Sequence, residues 1–83
     1  MQYMELVMIT QKGCGPCDKM KMIAPKKLLK YNIPIKFLDL EPMPENIRPP
    51  YTPYFYLLDG KNIIEEWGGD EKKLIKVLER NLK

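Results

Sequence analysis

Gly13-Cys14-Gly15-Pro16-Cys17 is the stretch on which the reading of this chain turns. It holds both cysteines of the sequence and opens the first amphipathic helical pattern. Two cysteines with two residues between them at the start of a helix stand one turn apart, so their sulfurs can meet. A helix N-terminus has unpaired N–H groups and a partial positive charge, and it therefore favours a thiolate over a thiol. Pro16 suits the first helical position, where its missing N–H is no loss. Cys14 is the expected attacking thiolate, titrating below the free-thiol value of about 8.5. Cys17 falls one turn further in, on the apolar side of the helix.

Two blander readings of the pair are weaker. A structural zinc site normally takes four nitrogen or sulfur ligands, and the chain has no histidine and no third cysteine. Such a site would need a second chain, through a zinc-bridged dimer, or carboxylates. A structural disulfide across two residues closes too short a loop to stabilise much. Redox chemistry is the better fit, because a C-x-x-C beside a βαβ pattern in a reducing compartment is a redox arrangement.

Composition narrows the field. Eighty-three residues, read as residues 1–83 of a single domain, leave no room for a second one. No apolar run approaches the roughly 18 residues of a membrane span. The apolar start, Tyr3 to Ile9, contains Glu5 and lacks a basic leader, so it reads as a strand and not as a signal peptide. A cytoplasmic, reducing location and no membrane partner are expected. The net charge of +3 comes largely from lysines 19, 21, 26, 27 and 30, on one solvated helix. Only Arg48 and Arg80 are arginines, too few for a nucleic-acid surface. The absence of histidine removes histidine-based general bases and the cysteine–histidine pairing of thiol hydrolases.

Along the chain, residues 2 to 9 form a strand whose continuous Leu6 to Ile9 block suits burial on both faces. After a loop from Thr10 to Gly13, the apolar positions Cys17, Met20, Ile23, Ala24, Leu28 and Tyr31 recur at helical spacing. Pro25 should bend this helix near its middle, and Asn32 and Pro34 end it. Ile35 to Leu40 is a second strand, parallel to the first because a helix intervenes. Prolines at 42, 44, 49, 50 and 53 leave only Pro44 to Arg48 for a helical turn. Tyr54 to Leu58 and Asn62 to Trp67 read as an antiparallel hairpin around Asp59 and Gly60. Gly68 and Gly69 break the last strand. Asp70 then caps a final helix with Leu74, Ile75, Leu78 and Leu82 as its buried stripe. The order β, α, β, loop, β, β, α implies an α/β fold, a four-stranded mixed sheet with its two main helices on one face. Met43, Ile47 and Tyr51 would then have to shield the other face, or leave apolar surface for a partner.

These residues resemble the thioredoxin and glutaredoxin superfamily. The likeness runs through Cys14-Gly15-Pro16-Cys17 after a buried strand, Thr52-Pro53 before the third strand, and Gly68-Gly69 before the last helix. The four-residue motif is the thioredoxin form. The overall length and the Gly-Gly-Asp at 68 to 70 are closer to glutaredoxin, a combination found in small archaeal and phage-encoded redoxins. The resemblance implies one thioredoxin-like domain with the thioredoxin fold, Cys14 as nucleophile and Cys17 as resolving thiol, with Gly15 and Pro16 shaping the motif. It also implies a cis bond at Pro53 and a substrate site framed by Thr52, Pro53, Gly13 and Gly69, with Tyr51, Ile47 or Pro50 as apolar rim. Three features depart from the thioredoxin pattern: Gly13 replaces a tryptophan, Met8 replaces a buried aspartate that accepts protons, and the helix proline, Pro25, sits three residues further from the second cysteine. The acid and base role is thus unassigned.

The expected function is a thiol–disulfide oxidoreductase, reducing disulfide-containing protein substrates as a monomer without a cofactor. Its electron donor would be a flavoprotein thioredoxin reductase or glutathione. The alternative is a redox-inert binding or docking module on the same fold.

Overall fold

In the computed structural model, residues 4–69 and 71–82 are described. Gln2 and Tyr3, read as the start of the first strand, and Asp70, read as the last helix cap, lie outside the described residues. The first strand, β1 (Met4–Thr10), is central, because its run from Leu6 to Ile9 is apolar toward both faces. Six elements make the fold: β1, α1 (Gly15–Leu28), β2 (Ile35–Asp39), β3 (Tyr54–Asp59), β4 (Asn62–Gly68) and α2 (Glu71–Leu82). The sheet order is β2-β1-β3-β4. β1 and β2 are parallel, with Leu6 opposite Ile35 and Thr10 opposite Asp39. β1 and β3 are antiparallel, with Met4 opposite Asp59 and Ile9 opposite Tyr54.

Several boundaries differ from the sequence reading, among them β4, which runs one residue further, through Gly68. The β3–β4 turn consists of Gly60 and Lys61, one residue later than expected, because Asp59 still pairs with Asn62. Gly60 takes φ 63° at the first turn position, where a two-residue hairpin loop of the glycine-first kind needs a positive value. The first helix is α-helical through Pro25 to Leu28 and then tightens into a 3₁₀ turn at Leu29–Tyr31. Asn32, at φ 55°, closes it. β2 stops at Asp39, one residue early, where Leu40 bonds through its N–H to the Thr10 carbonyl.

One apolar cluster joins Leu6 and Met8 of β1, Phe55 and Leu57 of β3 and Trp67 of β4 to both helices. α1 contributes Cys17, Met20, Ala24 and Leu28, and α2 contributes Leu74, Val77 and Leu78. Both helices therefore pack on the same sheet face, as the topology demanded. Val77 is buried while Ile75 and Leu82 are only half-buried, so the stripe is centred on 74, 77 and 78. An ion pair of 3.2 Å from Lys27 to Glu71 ties the two helices at their surface.

Between β2 and β3 the only regular element among the described residues is a 3₁₀ turn at Glu45–Ile47. The proline-rich segment is braced by Arg48, which donates hydrogen bonds of 2.8 Å to the carbonyls of Met43 and Glu41. The shield expected of Met43, Ile47 and Tyr51 is partial: Ile47 and Tyr51 remain 55% and 52% exposed. Cover comes as well from β3, where Tyr54 packs edge to face against Tyr56 at 5.4 Å and against Tyr51 of the preceding segment at 5.8 Å.

Within that cluster the Tyr54 hydroxyl donates to Glu66 Oε2 at 3.0 Å. Burial first, and then the Glu66 carboxylate, push the Tyr54 phenol from 10.0 up to about 12. A group that holds its proton more tightly when folded contributes stability that is complete below its unfolded value and is lost as pH rises through the folded one. Urea midpoints should therefore fall between pH 10 and about 12. Tyr54→Phe should flatten that fall, and an unchanged slope would show that Tyr54 does not govern it.

Candidate active site

The ends of β1 and β3 and the start of α1 converge on Cys14. Between β1 and α1, the Cys14 N–H bonds to the Gln11 carbonyl at 3.3 Å, closing a four-residue turn. Gly13 takes its third position at φ 77°, the value a type II turn requires there. This backbone demand accounts for glycine next to the motif, since a bulky side chain is strained at positive φ.

Cys14 is the N-cap of α1, and its Sγ accepts the Cys17 N–H at 3.1 Å. Gly15 is the first helical residue, so Pro16 stands at the second position and not the first. Both lack the need for an intrahelical donor there. Cys14 is half-buried, Cys17 is fully buried in the core cluster, and the two are joined as a disulfide with Cα atoms 5.2 Å apart. The exposed sulfur is thus held where a helix terminus stabilises negative charge, and its partner waits behind it in apolar surroundings.

The Thr52–Pro53 bond is cis. The Pro53 carbonyl accepts the Gly69 N–H at 3.4 Å, and the Thr52 hydroxyl lies 3.6 Å from Cys14 Sγ. A groove of about 610 Å³ runs from there between Pro16 and Ile23 on one wall and Tyr51, Thr52, Pro53 and Gly69 on the other. Lys19 and Lys72 also line it, together with Glu71, whose charge is taken up by Lys27. Gly13 is not in this groove. It lines a separate hollow of about 380 Å³ with Lys12, Asp18 and Asp39. Neither Ile47 nor Pro50 lines the groove, so of the three rim residues expected only Tyr51 is there.

No family model matches the sequence, and no curated protein is similar to it by sequence. Solved structures do match. Thioredoxin f2 of Chlamydomonas reinhardtii superposes with a TM-score of 0.82 at 16% identity, over 95% of this chain and 79% of that one. Thioredoxin 1 of Thermosipho africanus gives 0.78 at 18% identity, over 94% and 93%. The reduced periplasmic thioredoxin SoxS of Paracoccus pantotrophus gives 0.73 at 26% identity, over 93% of each chain. This chain has the thioredoxin fold. Within the thioredoxin fold its cysteine pair forms a couple that can alternate between dithiol and disulfide, the chemistry of a thiol–disulfide oxidoreductase in general.

Met8, at the position where the resemblance looks for a proton-accepting aspartate, is fully buried in the apolar core cluster. No group of three or more His, Cys, Asp or Glu side chains suited to a metal ion occurs among the described residues. No helix there is long and apolar enough to cross a membrane.

The sequence reading missed Gln11, whose side-chain Oε1 lies 3.1 Å from the Thr52 hydroxyl. The signal was in the register. Carrying the Ile9–Tyr54 pairing two residues further sets Gln11 opposite Thr52. It also missed Gly68: a Cβ there would collide with the Tyr51 ring, so Gly68 lets Tyr51 lie over the strand end and reach the groove.

Proposed function

We propose that this chain is a protein-disulfide reductase that works through a reversible Cys14/Cys17 couple. The observation that carries the reading is a half-buried cysteine capping a helix, bonded to a fully buried one, at the edge of an open groove. In the reduced protein the Cys14 thiolate attacks one sulfur of a substrate disulfide. That S–S bond breaks, a mixed disulfide forms and the other substrate sulfur leaves as a thiolate. Cys17 then attacks Cys14 Sγ, which closes the Cys14–Cys17 bond and releases the second substrate thiolate. Two electrons have passed from the pair to the substrate. A flavoprotein reductase or glutathione restores the dithiol, in a reducing compartment such as the cytoplasm. No cofactor takes part, and a single copy of the chain suffices.

Thr52, Pro53 and Gly69 offer a substrate segment an extended backbone edge in this reading, and Tyr51 an apolar contact. The test is turnover of a disulfide-bonded protein with a chemical dithiol as donor, where the chain should accelerate reduction well above the donor alone. No acceleration would leave the inert docking module as the better reading. Supplying a flavoprotein reductase with NADPH, or glutathione with its own reductase, tells the donors apart.

The groove's charge predicts a preference. Lys19 and Lys72 line it while Glu71 is neutralised, so disulfides flanked by acidic side chains should react faster than those flanked by lysines. Exposed charge pairs contribute about 0.2–1 kcal/mol each. Reversing both lysines to glutamate should lower kcat/KM on an acidic-flanked peptide disulfide about tenfold, less at high salt. Equal effects on acidic and basic peptides would remove the charge explanation.

A further inference from the structure

We propose that Gln11 is a positioning residue that aims the Thr52 hydroxyl and through it sets the ionisation of Cys14. The proposal rests on the reading of Cys14 as the attacking thiol. Thr52 Oγ1 lies 3.1 Å from Gln11 Oε1 and 3.6 Å from Cys14 Sγ. A hydroxyl has one proton, so it can donate to only one of these acceptors at a time. In the disulfide, Cys14 sulfur is uncharged and a weak acceptor, and the proton belongs to the Gln11 carbonyl.

Reduction changes the competition. A thiolate at Cys14 is an ionised acceptor, and hydrogen bonds to ionised groups are roughly twice as strong as neutral ones. The hydroxyl proton then turns to the sulfur. Left as it was, the Gln11 carbonyl would face the bare lone pairs of Thr52. The amide avoids this by a half-turn about its last side-chain bond, which brings its NH₂ to the same place. Gln11 now donates to Thr52, Thr52 donates to Cys14, and each bond polarises the next. No proton leaves its atom, because only a hydroxyl and an amide rotate.

The backbone holds the three groups to this arrangement. The Gln11–Cys14 turn fixes the two ends of the loop, and the β1–β3 ladder, which ends at the Ile9–Tyr54 pair, leads the two chains out side by side to the Gln11–Thr52 contact. The charged side chains lining the two hollows beside the motif are Lys12 in the loop, Asp18, Lys19 and Lys21 in α1, Asp39 and Glu41 at and beyond the end of β2, and Glu71 and Lys72 across the groove. None of them hydrogen-bonds the sulfur among the described residues, whose partners are the Cys17 N–H and the Thr52 hydroxyl.

The experiment measures how fast iodoacetamide alkylates Cys14 in the reduced protein as pH is varied, with the site mapped by mass spectrometry. Gln11→Met keeps length and loses the amide, and it should lower the thiolate-to-thiol ratio at Cys14 about fivefold. Gln11→Glu can only accept, holds the hydroxyl away from sulfur and should lower it further. In a Thr52→Val background, Gln11→Met should add nothing, and in Thr52→Ser its effect should return. Thr52→Ala serves as the hydroxyl-free background should circular dichroism show that the valine variant does not fold. A Gln11→Met variant titrating like the parent, or shifted equally with and without a hydroxyl at 52, overturns the proposal. Failure of the proposed function would show separately, as a parent protein that ionises at Cys14 yet turns over no disulfide.

Discussion

Cys14→Ser should reduce dithiol-driven turnover of a protein disulfide to the uncatalysed background, while Cys17→Ser should leave the first chemical step intact and accumulate a mixed disulfide. The two variants differ because the two sulfurs occupy different surroundings. Cys14 caps α1 and meets solvent, whereas Cys17 is fully buried among the core side chains. A hydroxyl at 14 is no nucleophile near neutral pH, since no base adjoins it. A hydroxyl at 17 removes only the intramolecular attack that resolves the intermediate. Mass spectrometry of the protein after exposure to a disulfide-bonded substrate would detect the adduct. Adduct formation by Cys14→Ser in place of Cys17→Ser would reverse the roles, and equal loss with no adduct in either would count against the mechanism.

The fold was legible because its elements announce themselves locally. Leu6 to Ile9 is apolar on both faces and could only be a central strand, and the period of Met20, Ala24 and Leu28 could only be a helix packed on it. The hairpin turn was displaced by one residue because glycine at 60 fits either the second or the first turn position, and only the pairing of Asp59 with Asn62 decides. At the site, the cysteine spacing placed one sulfur on the cap and one in the core without any long-range knowledge. What stayed hidden depends on contacts between distant segments. Gln11 is an ordinary polar loop residue until the fold brings the Thr52 hydroxyl within 3.1 Å of its side chain. Gly68 looks like a strand breaker until the Tyr51 ring is seen occupying the space its missing side chain leaves. Lys19 and Lys72, on different helices, share a groove only because both helices pack on one face.

That one-sided packing also concentrates stability in few residues. Phe55→Ala should destabilise the chain by about 3–5 kcal/mol, a large part of the roughly 5–15 kcal/mol that holds a small domain folded. Phe55 is fully buried on β3, opposite Met8 and Trp67 in the sheet, and its ring stacks on the Trp67 indole at 5.3 Å and 14° between planes. Truncation would remove that stacking and open a cavity among rigid strand neighbours that can relax only in part. Trp67→Phe offers the contrast. Its indole N–H is buried without a hydrogen-bond partner among the described residues, a cost that the substitution removes, so this variant should lose distinctly less stability than Phe55→Ala. Urea unfolding followed by circular dichroism measures both, independently of the protein's one tryptophan. The midpoint of Phe55→Ala should fall with its slope unchanged, since the surface exposed on unfolding is nearly the same. A loss below about 1 kcal/mol would mean that the tyrosine-lined face, and not the cluster under the helices, carries the fold.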